Sequence, residues 1–144
     1  MTYEEWLKNI EELKQTNINI EKLNILKEAP INENLFQMIE NKLLELVKIK
    51  FEKSITKLIK ELPTIFSDVN YLDLALIDFK KEIKFLIEII YLKQISPPEQ
   101  IALLNMIKEQ TENAYNILLK EANQTDQTGI FAITINNNRI KWSE

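Results

Sequence analysis

A single glycine, Gly129, serves all 144 residues of this chain. Glycine is the residue that most readily relaxes a helix, turns a tight loop or lets backbone approach a phosphate. Its absence before position 129 therefore removes phosphate-cradling loops and nucleophile elbows. What remains is a chain of helices whose ends must come from polar caps and prolines.

Those signals are present. Thr2 and Glu5 form a capping-box pattern, with Met1 placed to staple onto Trp6, and Tyr3, Trp6, Ile10 and Leu13 recur at helical spacing. A break around Thr16 to Asn19 precedes a short helix to about Glu28, ended by Pro30. Asn32 is positioned as the next cap, with Ile31 and Phe36 as a staple pair. The long helix that follows runs to about Glu61 on a stripe of Leu44, Val47, Phe51, Ile55, Leu58 and Leu62, and Pro63 marks its exit.

Ser67 is expected to cap a further helix, with Phe66 stapled onto Tyr71. Its stripe of Leu72, Leu76, Phe79, Ile83, Leu86 and Ile90 is widened by Leu74, Ala75, Ile77, Phe85, Ile87, Ile89 and Leu92, which predicts a central position. Ser96, Pro97, Pro98 and Glu99 then open the last long helix, with Leu104, Ile107, Ala114 and Leu118 on its inner face. The polar stretch Asn123 to Gly129 reads as a loop. At ~1.5 Å per residue, helices of ~28 residues are ~40 Å long, so the expectation is an elongated antiparallel bundle of about four helices.

The C-terminal stretch reads differently. Phe131, Ile133 and Ile135 alternate with Ala132, Thr134 and Asn136, the period of a half-buried strand. With Asn137 and Asn138 as a turn, Ile135 would face Ile140 and Ile133 would face Trp142. The expected class is thus mainly all-α, residues 1–128 forming the bundle and 129–144 a short β-hairpin of the same domain. Such a hairpin is marginal alone, so its apolar face must either cap the bundle's own core or meet another chain.

Composition narrows the chemistry. Without cysteine there is no disulfide, thiol nucleophile or thiolate metal site, and without histidine the commonest general base and metal ligand is missing. Neither a cofactor nor a metal site is expected, nor catalysis. Asp68, Asp73 and Asp78 fall on diverging helix faces, and Glu88 is expected to pair at the surface with Lys84. The net charge of −4 argues against nucleic acid as the default partner. "FLIEIIYL", the most apolar stretch, is too short to span a bilayer, and Met1 precedes an acidic helix start rather than a secretory signal. A cytoplasmic protein is expected, and the lysine-, isoleucine- and asparagine-rich composition hints at a low-GC bacterium or mobile element.

Two groups of residues stand out. The tail offers Phe131, Ile133, Arg139, Ile140 and Trp142 as a partner-binding surface. Lys50, Lys53, Lys57 and Lys60 share one helix face, with Lys80, Lys81 and Lys84 available nearby; the stripe could receive an anion, but a solvated face is what the outer side of any bundle helix shows and is the favoured reading. The expected function is protein–protein binding of the inhibitor, immunity or adaptor kind. A homo-oligomeric structural subunit, or anionic-ligand or nucleic-acid binding through the lysines, is the alternative.

Overall fold

The computed structural model describes residues 1–125 and 128–142. Seven α-helices form among them: α1 (Tyr3–Leu13), α2 (Ile20–Lys27), α3 (Phe36–Lys60), α4 (Leu62–Ile65), α5 (Val69–Ile90), α6 (Pro97–Thr125) and α7 (Ile130–Asn137). A 3-10 turn, Glu33–Leu35, leads into α3, and no strand occurs among the described residues. The chain divides into two compact units, Met1–Glu52 with Lys84–Leu104 and Lys53–Ile83 with Asn105–Glu144. Each long helix contributes one stretch to each unit.

In the first unit the cap read at Thr2 is in place, and Asn19, at the end of the expected break, caps α2. The Glu5 backbone N–H donates to the Thr2 hydroxyl at 3.2 Å, and that of Lys22 donates to the Asn19 side chain at 2.9 Å. Trp6 is fully buried, and its indole N–H donates to the Leu26 carbonyl at 3.2 Å, tying α1 to α2. Lys14 ties α1 to α3 by donating to Glu45 at 2.9 Å, while also reaching Glu11 at 3.0 Å. The Glu40 carboxylate accepts from the Ser96 backbone N–H at 2.7 Å, which sets the start of α6 against α3. The staple between Ile31 and Phe36 does not form, since Ile31 is 88% exposed. Asn32 caps a 3-10 turn instead of an α-helix, and three residues per turn spoil the spacing that a staple needs.

In the second unit Ser54 donates to Glu82, making α3 and α5 antiparallel neighbours across the single turn of α4. Pro63 lies in the first turn of α4, where its missing N–H costs no helical bond. The cap of α5 is Asp68, which accepts from the Asn70 N–H at 2.8 Å, rather than Ser67, whose hydroxyl donates to the Thr64 carbonyl. Phe79 meets Tyr115 of α6 edge-on, with centroids 6.1 Å apart, inside a core of Leu58, Ile65, Leu72, Leu76, Ile107 and Leu118. Helix α6 continues through Asn123–Thr125, the first part of the expected loop; residues 126–127 lie outside the described residues.

The expected β-hairpin does not exist. Residues 130–137 form α7, in which the Ile133 N–H donates to the Gly129 carbonyl at 3.1 Å and the Thr134 hydroxyl to the Ile130 carbonyl at 2.8 Å. The alternating pattern misleads because positions 131 and 135, alternate-plus-alternate in a strand, are also one helical turn apart. Ile135 is fully buried, while Ile133, which only a strand would place on the same side, is 59% exposed. An isolated hairpin would leave backbone groups wanting a sheet, whereas a helix bonds its own.

Candidate functional site

Helix α7 lies along the α4–α5 junction. Phe131 stacks at a tilt against Phe66 with centroids 5.3 Å apart, and seven residues on in both elements the Asn138 side-chain amide donates to Asp73 at 2.9 Å. The ties fall at both ends of α7, so it runs in the chain direction of the first two turns of α5. Phe66 therefore does not staple onto Tyr71, which remains exposed.

The residues after α7 form a strap across α6. Arg139 pairs with Glu112, its guanidinium carbon 5.3 Å from the centre of the Tyr115 ring, and Ile140 is buried. The Trp142 indole N–H donates to the other oxygen of Glu112 at 2.7 Å. Burial alone pushes the Glu112 carboxyl up, but the Trp142 and Arg139 hydrogen bonds and the charges of Arg139 and Lys108 outweigh it and hold it below its ordinary value. Burial also pushes the Tyr115 phenol up to about 12. The Ile140 backbone lies beside that hydroxyl and favours its ionised form, yet no group among the described residues reaches it at hydrogen-bonding geometry.

The five tail residues expected to meet a partner thus have separate fates. Phe131, Arg139, Ile140 and Trp142 are engaged with the chain's own second unit, while Ile133 faces outward. Ile133 shares the outer face of α7 with Ile130, and on α5 Leu74, 60% exposed, and Ile77 are exposed as well. Sequence periodicity assigned Leu74 and Ile77 to a widened core stripe. Their offset from the Leu72, Leu76, Phe79 and Ile83 face was the available sign that they point elsewhere. Glu112 gave no such sign, because its role depends on residues from another part of the chain.

All four residues of the lysine stripe lie on α3. Lys50 donates to the Thr16 carbonyl, and Lys53, Lys57 and Lys60 are exposed. Glu88 is exposed. No cluster of three potential metal ligands occurs among the described residues, and no helix there is long and apolar enough to cross a membrane. Comparison with family models, with curated proteins and with solved structures gives no match.

Proposed function

We propose that this chain acts by binding a protein partner through the outer face of α5 and α7 in its second unit. Leu74 and Ile77 on α5 and Ile130 and Ile133 on α7 are the anchors. One observation carries the reading: four large aliphatic side chains stand exposed on two adjacent helices whose inner faces are already filled by Leu72, Leu76, Phe131 and Ile135. Such surface gains ~25 cal/mol per Å² when covered. Exposed Lys81 stands one helical turn beyond Ile77 on the same side of α5. A complementary partner carries an acidic group against it. In this reading the chain has no catalysis of its own and works as an inhibitor, immunity or adaptor protein does.

Paired affinity captures with the wild type and a Leu74→Asp, Ile133→Asp double variant test the proposal. Both substitutions are at exposed sites, so circular dichroism of the two baits should coincide. A protein retained by the wild type and lost with the variant supports the assignment. Identical captures overturn it, and so does light scattering that finds a wild-type dimer converted to monomer by the double substitution, because the face then serves self-assembly.

A further inference from the structure

The strap differs from the helices in how it is held. Residues 139–142 make no backbone–backbone hydrogen bond among the described residues, so the contacts that hold them down all involve a side chain. Two of those side chains, Arg139 and Trp142, converge on one carboxylate, Glu112, and a third, Ile140, fills an apolar slot. The closed strap has a built-in cost. Arg139 covers the Tyr115 ring and Ile140 lies beside its hydroxyl, which is sealed from water without a hydrogen-bond partner among the described residues. Opening returns that hydroxyl to water.

We propose that residues 139–142 are a releasable strap, latched by Glu112, that opens without unfolding α5 or α6 and lays bare Tyr115 and the slot filled by Ile140. Favourable terms at Glu112 and Ile140 are set against the stranded hydroxyl, which narrows the free-energy gap between the closed and open forms. Charged and titratable groups facing the latch are Arg139 from the strap and Lys108 and Tyr115 from α6.

The protein contains an internal reference for the test. It has two tryptophans: Trp6, bonded to a backbone carbonyl in the first unit, and Trp142, bonded to the latch. Water exchange of the two indole N–H protons, resolved by nitrogen-15 NMR, reads both. In the wild type Trp142 should exchange faster than Trp6. Glu112→Ala should speed Trp142 about tenfold or more and leave Trp6 unchanged. Tyr115→Phe, which removes the stranded hydroxyl and keeps the ring, should slow Trp142 about fivefold, the lower end of what such a hydroxyl costs. Equal exchange at both indoles in every variant would show that the strap opens only with the whole fold and overturn the proposal. Faster exchange of Trp142 in Tyr115→Phe would also overturn it, by showing that the hydroxyl helps closure.

Discussion

Glu112 and Glu45 are the two carboxylates whose environments matter most at the scale of single residues. Glu45 is held below its ordinary value chiefly by the hydrogen bond from Lys14, and Glu112 by Trp142 and Arg139 against the opposing effect of burial. A carboxyl depressed on folding contributes stability that is complete above its unfolded pKa, near 4.5 for these groups. The contribution fades as pH falls further and is gone below the depressed folded value. The urea midpoint should therefore fall between pH 5 and pH 3, and Glu112→Gln should flatten that fall. Lys14 behaves in the opposite sense. Hydrogen bonds to Glu45 and Glu11 raise it, so its contribution is complete at neutral pH and is lost only as pH climbs through the raised value. These pairs are partly exposed, which limits each to a modest share of the total.

At the scale of elements, the start of α7 depends on the only glycine. Gly129 adopts φ 78°, the left-handed region, and its carbonyl accepts the first helical bond from Ile133. A Cβ built there meets no atom within 4 Å, so the cost of Gly129→Ala lies in the backbone angle alone. It should amount to about 1–2 kcal/mol, read as a lowered urea midpoint with unchanged slope. A similar principle explains the caps. Thr2 was identifiable because capping is a contact within four residues of chain, whereas Ser67 lost its expected role to Asp68, the adjacent residue with an equally suitable side chain.

For the molecule as a whole, α7 and the strap belong to the second unit's packing rather than being appended to it. Ile135 and Ile140 are buried there, and each contributes about 1.5–3 kcal/mol by burial. A chain ending at Gln127 should therefore lose roughly 3–6 kcal/mol of the ~5–15 that a domain usually has, visible in urea denaturation monitored by circular dichroism. Deletion of the tail would confuse loss of binding with loss of folding. The paired exposed substitutions at Leu74 and Ile133 separate them.

The sequence by itself determined the helices that make up most of this protein, because caps, prolines and apolar periodicity act within a few residues of each other. It placed Leu72, Leu76, Phe79, Ile83, Leu86 and Ile90 on the inner face of α5, and all six are buried. It also excluded histidine and cysteine chemistry outright. The tail escaped it because eight residues with an apolar group at every second position satisfy two periods at once, and only a surface to pack on can choose between them. Phe66 and Asp73 supplied that surface and chose the helix. Glu112 became the anchor of the strap for the same reason: its partners, Arg139 and Trp142, come from 27 and 30 residues away, and nothing local to either end of those contacts encodes the meeting.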